Sequence, residues 1–486
     1  MQAPPTTLTV FWEPCREGSS GEKYTVTLDA QSIQTAKTHC TFANLQPDTE
    51  YTVQLQCGEQ TEVLNARTMQ ALRPLDVTSE AYGAKGDGVT LDTAALQRAI
   101  DDCGRDEEVY LPAGVYLTGG LRLHSHMALH LAEGAVLQGS EKPEDYLPKI
   151  WSRFEGTELE CYQSLLNLGE LRHAEGPNCA DVLIYGQGTI CGGGQTLALN
   201  IIESERERLK DYIASLGDKV KECENENTIP GRGRGRLINL SNAENVRITG
   251  LTLKNGASWN VHMTYSRGIV TDHCVFHSQG VWNGDGWDVD SSDDCTLFAS
   301  EFYTGDDSVA IKSGKNPEGN VINRPTRRVR IFDCISHAGL GIAVGSEMSG
   351  GVEDVWVWDC DLRDSLYGVQ IKGTKKRGGY VRRVRVTDCV LPRFLICAVL
   401  YNDDGEGAPV PPVFSDMRCE RVHFTCWARN YWEPELHEMA CIDLSGFDVP
   451  GYEASNVAFV DCTAERQGTV QMKYCRNMTI DMKQTM

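Results

Sequence analysis

Apolar and polar residues alternate along most of this chain, with the period of a half-buried strand. The pattern is clearest beyond residue 245, in NVRITGLTLKN, GIVTDHCVFHS, RVRIFDCISHA, DVWVWDCDLRD, RVRVTDCVLPR, RVHFTCWARN and NVAFVDCTAER. Most of these end on a polar residue and then a cysteine: Cys274, Cys334, Cys360, Cys389, Cys426 or Cys462. Their intervals are irregular, unlike those of leucine-rich or propeller repeats. A parallel β-helix accounts for this, because each coil is several short strands, insertions go into the turns, and equivalent positions stack into internal ladders. Similar short strands and glycine turns fill EVYLPAGVYL, LRLHSHMALHLAEGAVLQG and DVLIYGQGTICGGG upstream.

Three stretches depart from the pattern. Within 80–104, Thr90 or Asp92 can cap a helix with Leu96, Ile100 and Cys103 on one face. Residues 143–176 have little periodicity and read as a long loop. Residues 196–226 have a helical period and lead into PGRGRGR, whose Arg232, Arg234 and Arg236 either line an anion-binding cleft or are merely solvated. The expected β-helix domain spans 75–486, with a helical insertion near 196–226. Residues 1–70 read differently, as the short strands LTVFW, KYTVTL and EYTVQLQC. There NLQPDTEY, at 44–51, resembles the tyrosine corner of a fibronectin type III domain, with Trp12 as its buried early-strand tryptophan. The fold class is thus all-β: a parallel β-helix preceded by a small fibronectin type III-like β-sandwich, a spacer or docking module.

A formal charge of −22 argues against a general nucleic-acid binder, which needs a basic face. No window approaches a membrane span, and the first residues lack the regions of a signal peptide. The expected location is cytoplasmic, or secreted or periplasmic if a leader has been removed. Nineteen cysteines is an odd count in a large chain, and no CxxC pairs accompany the repeated ones, so buried thiols are expected rather than a zinc site. Oligomeric state is not legible.

The chemistry concentrates in 283–314, NGDGWDVDSSDDCTLFASEFYTGDDSVAIKSG, with seven aspartates. Successive coils lie roughly 4.8 Å apart, which would stack Asp285 beside Asp306 and Asp307. Like charges at that range drive pKa values apart, so one carboxyl can act as acid and another as base. Asp288, Asp290, Asp293 and Asp294 are expected at turn and solvated positions.

These motifs resemble the polygalacturonase family of glycoside hydrolases, pectin-degrading right-handed β-helix enzymes, over 75–486. The family's N-T-D corresponds to Asn283, Gly284 and Asp285, its D-D to Asp306 and Asp307, its G-S to Gly345 and Ser346, and its R-I-K to Gln370, Ile371 and Lys372; YGAKGDG near the start fits as well. The resemblance implies hydrolysis with inversion, Asp306 as general acid, and Asp285 with Asp307 activating water. It implies no metal and no cofactor. Asn283, Ser346, Glu347, Gln370 and Lys372 would bind substrate, a galacturonate-containing pectic oligosaccharide, and Lys375, Lys376 and Arg377 would extend a positive edge. Trp259 and Asn260 resemble a cleft-floor segment, although a core tryptophan reads equally well.

Two positions depart from the family. Its G-H-G histidine falls near Gly339 or Leu340, and the nearby His337 either reaches the site through a bulge as a further substrate ligand or is an ordinary loop residue. Gln370 replaces an arginine and loses its bidentate charge. The segment VGSEMSGG and the sandwich resemble bacterial exo-acting members, in which 143–176 and 196–236 would wall off one end of the cleft. The alternatives are another pectic linkage such as one next to rhamnose, a calcium-dependent pectate lyase, and a non-catalytic glycan-binding β-helix.

Overall fold

The computed structural model describes residues 4–14, 23–218, 231–400, 403, 405–429, 435–466 and 469–484. Among these, most of the chain winds through three parallel sheets of eight, eleven and fifteen strands. One coil runs from Val261–Thr264 in the eleven-stranded sheet to Arg267–Asp272 in the fifteen-stranded sheet and Val275–His277 in the eight-stranded sheet. It then returns to Trp287–Asp290, beside its starting strand. The expected parallel β-helix is therefore present.

Parallel, in-register pairing puts equivalent residues on the same face. Val261 pairs with Trp287 and Trp287 with Val309, and all three enter one core that extends from Leu75 to Ala464. The intervening residues, His262, Asp288 and Ala310, form a row on the outer face. The recurring polar residue before cysteine has a local cause. Asp333, Asp359 and Asp388 adopt φ of 48°, 52° and 53°, a left-handed conformation that turns the chain from one sheet to the next and that Asp tolerates better than most residues. The cysteine that follows points inward, and its thiol donates to the carbonyl two residues earlier, at 3.3 Å from Cys334, 3.3 Å from Cys360 and 3.2 Å from Cys389. The described cysteines are free thiols.

Local elements differ from expectation at three places. The first helix, Thr93–Asp102, starts after Asp92, but that carboxylate accepts the Lys85 and Gly86 amides at 2.8 and 3.0 Å instead of capping the helix, and Cys103 lies past the helix end. The stretch 143–176 is not a loop. It holds an antiparallel hairpin, Ile150–Phe154 with Thr157–Cys161, and a strand, Leu166–Leu168, of the eleven-stranded sheet. The insertion is the helix Gly194–Leu216; 219–226 lie outside the described residues.

The N-terminal module is antiparallel, with a two-stranded and a four-stranded sheet around Val10, Val26, Phe42 and Val53. The Tyr51 hydroxyl accepts the Gln46 amide at 2.8 Å, while Trp12 is only half-buried. The module docks on the outer face of the fifteen-stranded sheet. Phe11 lies 5.2 Å from Phe298, which heads the stacked series Phe298, Phe332 and Trp358, and the Trp358 indole donates to Thr38 Oγ1 at 2.8 Å.

Candidate active site

The turns that lead into the eleven-stranded sheet carry the carboxylates. Trp287 pairs with Val309, so Asp307, rather than Asp306, stacks on Asp285. Backbone bonds extend the ladder through these turns: Gly286 N donates to Asp307 O at 3.0 Å, Asn260 N to Asp285 O at 2.9 Å and Leu340 N to Asp306 O at 3.0 Å. The Asn260 side chain also donates to Asp285 O at 3.2 Å, and Thr304 Oγ1 to Asp306 O at 2.9 Å. One oxygen from each of Asp285, Asp306 and Asp307 lies within 4.8 Å of the others.

Three carboxylates so close must be neutralised by protons or by cations, and the surroundings supply both. Lys372 Nζ donates to Asp307 Oδ2 at 3.1 Å. Lys312 Nζ stands 3.5 Å from both Asp285 and Asp288, and 4.0 Å from the Trp259 ring centre. Burial, reinforced by the Asp307 charge, raises the Asp306 carboxyl to about 6. Burial and the Asp288 charge hold Asp285 well above the usual carboxylate range, and burial pushes Asp288 up to about 7 although Lys312 opposes it. Such a cluster can present a proton at one oxygen and accept one at another. The same three oxygens could also hold a divalent cation.

One end of the site is walled. The hairpin Ile150–Phe154 with Thr157–Cys161 lies over the outer face of Val261–Thr264 and Trp287–Asp290. Phe154 stacks on Trp259 at 4.8 Å, and Arg153 donates to Asp290 Oδ1 and Ser291 Oγ, each at 2.9 Å. At the hairpin tip Lys315 N donates to Gly156 O at 2.9 Å. A Cβ on Gly156 would fall 2.7 Å from Lys315 Cβ and 2.9 Å from Glu347 Cγ, so only glycine fits there. Arg236 lies against Phe154 and Trp259, and Arg234 donates to Asn283 Oδ1 at 2.6 Å. Arg232 pairs with Glu155 at 3.1 Å. In the other direction, toward Ile342–Val344, Val369–Gly373 and Phe394–Ala398, Leu340, Tyr367 and Cys397 are only half-buried and reach the surface.

The structure brings Asp285, Asp306, Asp307 and Lys372 together. Glu347 lies within the influence of Lys312, Arg377, Lys315 and Lys372, which hold its carboxyl low against burial. Ser346 Oγ donates to Glu347 Oε1 at 3.4 Å. Gln370 Nε2 donates to Cys397 Sγ at 3.1 Å, and its buried Oε1 has no partner. His337 does not join the carboxylates. It is the bulged residue of its strand on the eight-stranded sheet, stacked on Tyr303 at 4.5 Å and paired with Glu301 at 3.1 Å.

Several expectations are overturned. Asp288 and Asp290 are not turn residues but outward positions of a strand, each 0% exposed because the hairpin covers them. Arg377 is no positive edge: it is fully buried, with Nε donating to Ser346 O at 2.8 Å, whereas Lys375 and Lys376 are exposed. Arg234 and Arg236 are buried rather than solvated. Lys312 and Arg153 were not anticipated. The alternation in WDVD and VAIK puts Asp288, Asp290 and Lys312 on one face and is the signal that could have found the first three of these charges.

Residues 153–400 match the family Glycosyl hydrolases family 28, and 77–139 match Rhamnogalacturonase A/epimerase, pectate lyase-like. An exo-poly-α-D-galacturonosidase of Dickeya chrysanthemi is 27% identical over 374 residues, covering 72% of this chain and 62% of that protein. A protein of Vitis vinifera named "Probable polygalacturonase" is 33% identical over 319 residues, covering 63% of this chain and 58% of that protein. The chain thus spans less than two thirds of either relative. Among solved structures, the family 28 exopolygalacturonase of Yersinia enterocolitica superposes with a TM-score of 0.82 at 21% identity, covering 99% of this chain and 94% of that one. A hyperthermoactive exopolygalacturonase of Thermotoga maritima gives 0.68 at 23% identity, covering 85% and 91%. At these identities the two structures speak to the fold.

Proposed function

The chain belongs to Glycosyl hydrolases family 28, and on that footing we propose that it hydrolyses α-1,4-galacturonosyl linkages of pectic oligo- and polysaccharides from the chain end, with inversion. The observation that carries this reading is the cluster of Asp285, Asp306 and Asp307, one oxygen of each within 4.8 Å of the others. Asp306, with its raised carboxyl, protonates the glycosidic oxygen, because a sugar alkoxide is a poor leaving group. Asp285 and Asp307 orient water and take its proton, with Lys312 beside the first and Lys372 beside the second. Lys372, Gln370, Ser346 and Glu347 line the substrate path. Asn283 is held by Arg234 and acts from the wall side, and His337 has no role here.

The carboxylate oxygens are closer than the about 6.5–9.5 Å usual between inverting pairs, so the inversion rests on family membership. Proton NMR of the first product decides it: β-galacturonate supports inversion, and the α anomer overturns it. The hairpin wall favours release of single galacturonate units from the non-reducing end. Product analysis on defined oligogalacturonides tests that, and a fast viscosity drop with few new reducing ends would sink it. Activity is expected to survive a chelator; an unsaturated, ultraviolet-absorbing product that vanishes with the chelator would indicate a lyase.

Gln370 favours a second reading, hydrolysis next to a neutral sugar such as rhamnose, which rhamnogalacturonan fragments test in the same assay. The buried free thiols favour a cytoplasmic reaction on imported oligomers. The Tyr51 corner favours a fibronectin type III-like docking module.

A further inference from the structure

Within the galacturonosidase reading, the open side of the cleft must hold the sugar that leaves, and that sugar carries a carboxylate. Strand Val369–Gly373 offers it little charge. Gln370 is neutral and bonded to Cys397, and Lys372 is bonded to Asp307. The next coil supplies another cation. Phe394 pairs with Val369, and Phe394 and Ile396 face the core, so Arg393 belongs to the outward set with Leu395 and Cys397, on the face of Gln370 and Lys372.

Arg393 is poorly matched for a buried guanidinium. It is 5% exposed, yet among the described residues its one ion pair is Nη2 to Asp443 Oδ2 at 3.3 Å, and Asp443 itself is 37% exposed in its side chain. The Arg393 Nε is buried without a partner. Buried N–H donors of a charged group are normally satisfied, so this Nε is a donor left over for an anion that enters from the cleft. Its neighbourhood joins the reacting carboxylates. Tyr367 N donates to Leu340 O at 3.1 Å, and Leu340 N to Asp306 O at 3.0 Å. The Tyr367 phenol, raised chiefly by burial, feels the charges of Lys372, Arg393 and Asp307 together.

We propose that Arg393 binds the carboxylate of the leaving-group sugar, the task the family motif gives to the residue at Gln370, while the unpartnered Gln370 Oε1 accepts a hydroxyl of the same sugar. The guanidinium has moved one coil along the cleft, roughly 4.8 Å, and galacturonate specificity survives the loss of arginine at 370.

Arg393→Gln and Arg393→Lys test this with two substrates, digalacturonate and p-nitrophenyl α-galacturonide, whose leaving group has no carboxylate. Calorimetry of digalacturonate and galacturonate binding accompanies the kinetics. Arg393→Gln is expected to lower kcat/KM on digalacturonate about 50-fold, mostly through KM, and to change the aryl substrate less than about twofold, with Arg393→Lys recovering part of the loss. Equal losses on both substrates, or none on either, overturn the assignment. Wild type that binds digalacturonate without cleaving it would defeat the hydrolase reading alone, since Arg393→Gln must still weaken that binding for the proposal to stand. Wild type that binds neither sugar overturns both.

Discussion

Under the hairpin, the outer face of the eleven-stranded sheet carries His262, Asp288 and Asp290, all 0% exposed. Beyond its reach the same face carries Gln370, Lys372, Leu395 and Cys397. Alternation produces both rows in the same way, but their charges settle differently. In the covered half, burial pushes His262 down to about 3, so it is neutral, while Arg153 holds the Asp290 carboxyl below its usual range despite burial. Both halves leave buried polar atoms without a hydrogen-bond partner, Arg153 Nε, His262 Nδ1, Asp288 Oδ1 and Oδ2 and Asp290 Oδ2 under the hairpin and Arg393 Nε, Gln370 Oε1 and Asp307 Oδ1 beyond it; only the second set faces the uncovered side of the sheet. A covered charge must be matched within the protein, whereas one in a cleft can be matched by a ligand. The clustered carboxylates of Asp285, Asp306 and Asp307 sit between the two.

The sharpest test of that boundary is Asp306→Asn. It is expected to lower kcat about 10³-fold while digalacturonate affinity, read by calorimetry, stays within a few-fold; unchanged sugar release would remove Asp306 from the mechanism. On the covered side, Arg153→Ala leaves Asp290 buried and unpaired and is expected to cost about 3–5 kcal/mol in urea unfolding. It should also loosen the wall, so that mid-chain cleavage products appear. A stability change under about 1 kcal/mol would mean that the hairpin is held by other contacts.

Acidity acts on these carboxylates with both signs. Asp306 and Asp288 are raised to about 6 and about 7, so the folded state binds their protons more tightly than the unfolded chain does. The stability they contribute is present below about pH 4 and is lost as pH rises through 6 to 7. Asp290 is depressed, and its contribution, present above about pH 4, is lost only on further acidification. Melting temperature should therefore fall by about 3 °C between pH 5 and 8, and by less in Asp306→Asn; kcat/KM should decline above pH 6 as the acid loses its proton. A melting temperature that rises over that range would show that the fold does not hold the Asp306 and Asp288 protons more tightly than the unfolded chain does. The smallest effect belongs to neither half. Lys37 is 46% exposed and pairs with Asp333 and Asp359 at the sandwich junction, and Lys37→Ala is expected to cost less than about 1 kcal/mol by thermal unfolding.

The coil was legible because its corners repeat: an aspartate in the left-handed conformation followed by an inward cysteine leaves the same trace at Cys334, Cys360 and Cys389. The carboxylates at 285, 306 and 307 were legible because turn residues stack when strands are in register. Asp288, Asp290 and Lys312 were missed because strand alternation tells in from out but says nothing of what lies on top. The hairpin was missed for a related reason. Ser152, Arg153, Phe154 and Cys161 are all buried, so polar and apolar residues face the interior alike and no period survives. Arg393 stands one residue before its strand, behind Pro392, where no pattern marks a side chain as part of a site.

Gly156, pressed against Lys315 and Glu347, lets the hairpin tip close down on them. On the proposed exo-acting reading, a wall on that side sets an order of departures after bond cleavage. With the monosaccharide held on the walled side and the shortened chain on the other, the chain would leave first and galacturonate second. Galacturonate, as the last product off, is then expected to compete with substrate, the shortened chain to inhibit in a mixed pattern, and each turnover to require full release and rebinding rather than sliding along the polymer, which product-inhibition kinetics would read.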